Sequence, residues 1–374
     1  VERRGSWSMR WERYPGDVIP LWVADTDFRA PPAVLEALRR RIEHGVFGYS
    51  VPPNALRDAF IERMQRLYDW RVEPDWVVFV SGVVPGLHLA ARHLVRPDEH
   101  ILVPTPVYHH LKRAAVLAGR EHAEVPLVLS SGRWVFDEDR LQEAVRPHTR
   151  LLNLCNPQNP GGTIFTRAEL ERLAAFAEKH NLVICSDEIH AEILLDKGKP
   201  HVPIASVSPE ASRRTVTLLS PNKAFGFPGA GCGFAVIEDA QLRRAFSLDH
   251  HATVHDASVF GYEAALAAYR DCDGWLEAQL QYLRGNRDLV EREIGAMPGL
   301  AMAHVEATYL AWIDASGLKV KDPQEHFLAH GVALSPGAQF GAPRFVRLNF
   351  GTQRALLGEA LGRMKSAVSA AVNS

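Results

Sequence analysis

Five segments of this chain each end a short apolar run with residues able to do chemistry. Ser81-Gly82-Val83-Val84-Pro85-Gly86 follows the run 76–80 and opens a helical pattern at 87–94. Free backbone N–H groups and the helix dipole at such a turn favour a phosphate. Tyr108 follows the run 100–103, where an aromatic ring can stack on a planar ligand. Asn156-Pro157-Gln158-Asn159-Pro160-Gly161-Gly162 follows 151–155, a loop stiffened by two prolines and carrying amides that donate and accept. Asp187 and His190 follow 182–186, and Ser220 and Lys223 follow 215–219. Each has an ordinary explanation alone: a βα turn, a packed Tyr, a capping acid, a solvated lysine. Together they describe a site for a planar, phosphorylated, basic heterocycle held by a lysine.

Those residues need a scaffold that brings strand ends together. The runs 76–80, 100–103, 151–155, 182–186, 215–219 and 232–237 are short, apolar and bounded by Gly, Pro or polar residues, so they predict buried strands. Thr166 and Glu169 form a capping-box pattern ahead of a helix over 170–179. That helix joins the strands at 151 and 182 with βαβ spacing, which predicts parallel pairing. The expected fold class is α/β, a mostly parallel sheet with helices on both faces. Ligands bind beyond the carboxyl ends of such strands. The C-terminal third predicts helices over 257–268, 275–296 and 355–372 and strands over 307–313 and 345–349, a smaller α+β domain. The first forty residues carry no strand–helix alternation and are expected to lie against it.

A chain of 374 residues suggests two or three domains at about 100–200 residues each. The net charge of −2 leaves no basic excess to neutralise phosphates, so no nucleic-acid partner is expected. No apolar stretch reaches the length of a membrane span. The opening V-E-R-R-G-S-W-S-M-R has no apolar core, so no secretory signal is expected, and its start at Val rather than Met suggests a trimmed or processed chain. Cys155, Cys185, Cys232 and Cys272 form no C-x-x-C pattern and read as free buried thiols of a reducing compartment, the cytoplasm. His250, His251 and His255 include an i, i+4 pair of the kind that binds metal on a helix, but without H-E-x-x-H or a nearby Cys no metal is expected.

The whole pattern resembles the fold-type I pyridoxal-phosphate enzymes, the class I/II aminotransferase superfamily, and within it the cystathionine β-lyase (C–S lyase) branch of the MalY/PatB type. The segments carrying the resemblance span nearly the whole chain. They are L-W-V-A-D-T-D-F at 21–28, F-G-Y at 47–49, S-G-V-V-P-G at 81–86, N-P-Q-N-P-G-G at 156–162, S-D-E-I-H at 186–190 and S-P-N-K at 220–223. F-G-Y at 260–262, A-T-Y-L-A-W at 307–312 and F-V-R-L-N-F at 345–350 complete the order. The resemblance implies an aspartate-aminotransferase-like fold. It implies a large cofactor domain over 41–274, with 1–40 and 275–374 forming a discontinuous small domain.

It also implies roles. Lys223 forms the Schiff base with pyridoxal phosphate and, once freed, takes the proton from the substrate Cα. Asp187 pairs with the pyridine nitrogen and keeps it protonated. Asn159 bonds the ring's phenolic oxygen, across an Asn159–Pro160 bond expected to be cis. Tyr108 stacks on the ring, and His190 stands where many aminotransferases have Tyr. The N–H groups of Val83 and Val84, with Ser220, hold the phosphate, joined by Tyr49 from the neighbouring subunit of a homodimer. Arg347 binds the α-carboxylate of an amino-acid substrate bidentately, helped by the backbone of Ala24. Two positions depart from the pattern: Gly231 where many relatives have a basic residue, and Gly226 where the lyase branch often has Asn. The implied activity is cleavage of cystathionine or another cysteine S-conjugate to a thiol, pyruvate and ammonia. Aminotransferase chemistry shares every step up to the Cα carbanion. A regulatory binding partner that merely keeps the fold is a third reading, disfavoured by the intact Lys223, Asp187, Asn159 and Arg347.

Overall fold

The computed structural model describes residues 2–250, 254 and 256–372, the side chain of Val372 excepted. Its main sheet has seven strands in the order Val77–Val80, Gly233–Val236, Thr215–Leu219, Val183–Asp187, Thr149–Cys155, His100–Thr105 and Glu121–Pro126. Six run parallel to one another, and Gly233–Val236 alone runs against its neighbours.

The strands at 183–187 and 215–219 are buried at every position, as strands covered on both faces must be. Successive side chains go to opposite faces. Ile101, Val103, Leu151, Val183 and Cys185 pack with Leu87, Ala90, Leu111 and Ala114 on one side. Leu102, Leu152, Leu154 and Ile184 pack with Leu170, Leu173 and Ala177 on the other. The helix Arg167–Lys179 starts on the expected capping box: Thr166 accepts from the Glu169 N–H, and Glu169 accepts from the Thr166 N–H. All four cysteines are buried and free.

A second, antiparallel sheet has the order Ala301–Met302, Leu310–Asp314, Phe345–Asn349 and Ser335–Pro336. The long helix Asp273–Gly295 lies on it through Leu276, Leu280, Leu283, Val290 and Ile294, a helical stripe. Residues Ile19–Pro20 pair with Val332–Ala333, and Leu21 accepts from the Asn349 N–H, so the N-terminal segment is tied to this sheet.

Several expected bounds shift. The helix after the first strand begins at Val83 rather than 87, because Gly82 in extended backbone already serves as its N-cap. The strand expected over 307–313 starts only at Leu310. Thr308 adopts φ +74°, and the N–H groups of Ala307 and Thr308 donate instead to Gly162 and Ile193, loops of the main sheet. The helices Pro32–His44 and Asp273–Gly295 run across the boundaries drawn at 40/41 and 274/275. No helix among the described residues is long and apolar enough to cross a membrane.

Candidate active site

All parallel strands of the main sheet end on one edge, and the antiparallel strand begins there, with Gly233 opposite Val80. The edge therefore collects Ser81, Tyr108, Asn159, Asp187, Ser220 and Lys223. Residues from the N-terminal segment and the second sheet close over it.

Asp187 is 3% exposed at the end of its strand. Its carboxylate accepts the Ile189 N–H at 3.2 Å and has no cationic side chain bonded to it among the described residues. Burial raises its pKa to about 7. Lys223 keeps part of its surface accessible, yet burial of the amine lowers its pKa to about 8. Its Nζ donates to the Ala24 carbonyl. Arg347 is 4% exposed, in the strand Phe345–Asn349. It donates to Asn159 Oδ1 at 2.9 Å, to the Trp22 carbonyl at 3.0 Å and to Ser335 Oγ at 3.2 Å. Among the described residues its Nε is buried without a partner and no carboxylate pairs with it, and burial lowers its pKa to about 10.

The remaining expected residues fall around this core. Asn159 precedes a cis peptide bond to Pro160. With its Oδ1 on Arg347, its amide NH2 is uncommitted among the described residues. Tyr108 donates its N–H to the Asn159 carbonyl, and burial raises its phenol to about 12. His190 is buried, its Nδ1 lacks a partner, and burial holds it well below the usual histidine range, hence neutral. Val83 and Val84 begin a helix, so their N–H groups have no partner within it. The Ala24 N–H has no partner among the described residues, whereas its carbonyl accepts from both Lys223 and the Tyr309 hydroxyl. Ser220 is already engaged: its hydroxyl donates to the Cys232 carbonyl at 2.7 Å and accepts from the Asn222 N–H. Tyr49 is fully exposed in this single chain.

The departure at Gly231 has a steric cause here. A Cβ at Gly231 would lie 2.5 Å from the Ser81 carbonyl oxygen, so no side chain fits without backbone movement. Gly226 adopts φ +71°, a left-handed conformation that Asn tolerates better than most residues and glycine best. His251 and His255 lie outside the described residues. Buried His250 has its Nε2 3.7 Å from Asp256 Oδ1.

Some residues of the site carry no role in the sequence reading. Tyr309, fully buried, shares the Ala24 carbonyl with Lys223 and meets the His190 ring edge-on at 5.9 Å. Asp25, Asp27, Arg3 and Arg10 form an ion-pair network behind Ala24. The one available signal was two acids inside the otherwise apolar W-V-A-D-T-D-F run.

The cleft thus holds a buried acid and a buried guanidinium, neither ion-paired among the described residues, together with a lysine amine. Relatives match this chain end to end. Cystathionine beta-lyase PatB of Bacillus subtilis (strain 168) is 34% identical over 381 residues, covering 98% of each chain. The crystal structure of OvoB superposes with a TM-score of 0.97 at 45% identity, over 99% of this chain and 98% of that one. The PLP-bound C-S lyase from Staphylococcus hominis does so with 0.92 at 28% identity, over 98% and 96%. The sequence model of the family Aminotransferase class I and II matches residues 16–364. The chain belongs to that class I and II aminotransferase family and has its fold.

Proposed function

We propose that this protein is a pyridoxal-phosphate-dependent C–S β-lyase, acting on cystathionine or related cysteine S-conjugates to release a thiol, pyruvate and ammonia. The observation that carries the reading is Asp187, a buried carboxylate with no cation bonded to it among the described residues, in one cleft with the Lys223 amine. A protonated ring nitrogen is the partner such an acid lacks, so the residues present fit the cofactor. Relatives named cystathionine beta-lyase and C-S lyase support β-elimination over amino transfer.

When bound, pyridoxal phosphate supplies an electron sink for the charge left on the substrate Cα. Asp187 would hold the ring nitrogen's proton, Tyr108 would lie against the ring, and the Asn159 NH2, with His190 nearby, would face its oxygen. The N–H groups of Val83 and Val84 would bind the phosphate, and Ser220 would join them by turning its hydroxyl from Cys232. Arg347 and the Ala24 N–H would fix the substrate carboxylate. Lys223 would remove the Cα proton and hold it on Nζ, at an amine kept partly neutral near pH 8 by burial. The division into 41–274 and 1–40 with 275–374 belongs to this proposal, with the cleft between the two.

Tyr49 stands fully exposed beside Phe47 and Val51, both more than half exposed. That apolar segment suits burial against a second copy, with Tyr49 reaching the neighbour's phosphate in a homodimer. Four free buried thiols suit the cytoplasm.

The test is purified protein with added pyridoxal phosphate and cystathionine but no keto acid. Stoichiometric pyruvate with thiol release is expected. Amino transfer to an added keto acid without thiol release would replace the lyase reading with an aminotransferase. A protein that stays colourless with the cofactor would overturn both.

A further inference from the structure

Ser335 stands directly opposite Arg347 in the antiparallel pairing of Ser335–Pro336 with Phe345–Asn349. Opposed residues of such a pair send their side chains to one face of the sheet. Both are nearly sealed from solvent, at 3% and 4% exposed. Arg347 Nη2 donates to Ser335 Oγ at 3.2 Å and to the Trp22 carbonyl at 3.0 Å, and Ser335 Oγ donates to that same carbonyl at 2.6 Å. The three atoms close a triangle. The two N–H bonds of a guanidinium nitrogen diverge too widely to reach acceptors only 2.6 Å apart, so one N–H serves both. The guanidinium is held elsewhere too. Nη1 donates to Asn159 Oδ1 at 2.9 Å, and Cζ lies over the buried Phe340 ring, 4.7 Å from its centroid. Phe340 sets the plane, and Asn159 with Ser335 and Trp22 set its rotation, while Nε stays without a partner.

We propose that Ser335 is a positioning residue for Arg347: its hydroxyl ties the guanidinium to the Trp22 carbonyl and so presents a preset edge to the substrate α-carboxylate. The inference rests on Arg347 being the carboxylate-binding group of the site. A hydroxyl suits the task because it accepts and donates at once, taking the Nη2 proton while giving its own to Trp22. Trp22 lies two residues before Ala24, whose N–H is assigned to the same carboxylate, so one hydroxyl sets the two contacts relative to each other. An alanine there would leave that corner of the guanidinium on the Trp22 carbonyl alone. The loss would fall on the fit of the carboxylate rather than on proton removal at Cα, because a group held in its binding geometry beforehand has less freedom to lose when the ligand arrives.

The test loads the protein with pyridoxal phosphate and titrates it with two ligands, read by the immediate change in cofactor absorbance. L-alanine has the carboxylate but no leaving group, and L-alaninamide has no carboxylate. Ser335→Ala should raise the Kd for L-alanine about three- to tenfold, the effect of losing about one hydrogen bond, and leave that for L-alaninamide unchanged. A general loosening of the site would move both ligands together. Ser335→Cys, close in size and a weak acceptor, should show the same split and serves if Ser335→Ala fails to fold. In the cofactor-free protein, acetate compared with equal chloride should raise the Tm of the wild type more than that of the variant. An unchanged Kd for L-alanine, or equal rises for both ligands, would overturn the role of Ser335. Should the protein take up no cofactor, equal acetate shifts in wild type and variant would overturn it instead. Neither titration needs elimination. Absence of pyruvate with the split intact would therefore sink the lyase reading alone, and a failed split with pyruvate still released would sink the Ser335 role alone.

Discussion

The Arg347 guanidinium donates to Asn159 Oδ1 at 2.9 Å, joining the second sheet to the main sheet across the cleft. The two residues proposed for substrate and cofactor therefore fix each other, and neither can be changed without disturbing its partner. Arg347→Lys keeps the charge but loses the planar fork, so kcat/KM should fall about 10- to 100-fold, mostly through KM. Asn159→Ala should loosen Arg347 as well, raising KM for substrate together with the Kd for pyridoxal phosphate. Steady-state kinetics and cofactor titration by absorbance would separate these effects. An Asn159→Ala variant with altered cofactor affinity and unchanged KM would show that the two residues act independently.

Asp187→Asn keeps the shape and removes the charge. Losing one partner of a buried charge pair typically costs about 3–5 kcal/mol, so kcat with bound cofactor should fall at least about 100-fold. Because Asp187 favours the charged form of Lys223, the Lys223 titration in the cofactor-free variant should also move down from about 8. Rapid kinetics and lysine labelling would check the two parts separately.

The pH dependence of stability without cofactor follows from the same acid. Asp187 titrates near 7 in the folded chain against an ordinary value of 3.8, so the native state binds more protons between those values. Its contribution to stability is therefore full below about pH 4 and is lost as pH rises through 7. Lys223 acts in a separate window. Lowered from 10.5 to about 8, it contributes stability above 10.5 that is lost as pH falls through 8. Thermal melts of the cofactor-free wild type against Asp187→Asn should show the wild type losing ground from pH 4 to 7. A gap independent of pH from 4 to 7 would contradict the assignment.

Gly231→Arg places a side chain where relatives of the resembling family often carry a basic residue. Here its Cβ would meet the Ser81 carbonyl oxygen at 2.5 Å. The collision should cost about 1–3 kcal/mol of stability, by analogy with overpacked interiors. It should also weaken cofactor binding, because Ser81 and Gly82 lead into the helix start at Val83. A lowered Tm with a higher Kd for pyridoxal phosphate is expected. A variant that binds the cofactor more tightly at unchanged Tm would mean that the backbone yields freely there.

The sequence by itself determined six of the seven main-sheet strands, their ends and the groups on them, and missed the edge strand Glu121–Pro126, whose alternation is largely polar. Lys223, Asp187, Asn159 and Tyr108 each stand within a few residues of a strand that its own apolar run specifies, and the Thr166–Glu169 cap is fixed by neighbours three residues apart. Local sterics and burial suffice for such features. What only the tertiary structure decided lies in contacts between distant parts of the chain. Lys223 meets Ala24 across 199 residues, Tyr309 meets Ala24 across 285, and Arg347 meets Asn159 across 188. No periodicity encodes such pairings, and the same holds for the Ser81 carbonyl that bars a side chain at Gly231. The resemblance named A-T-Y-L-A-W and W-V-A-D-T-D-F without giving Tyr309 or Asp25 anything to do. Their positions became meaningful only once the second sheet and the N-terminal arm closed over the strand ends, because a buried charge is defined by what surrounds it in space.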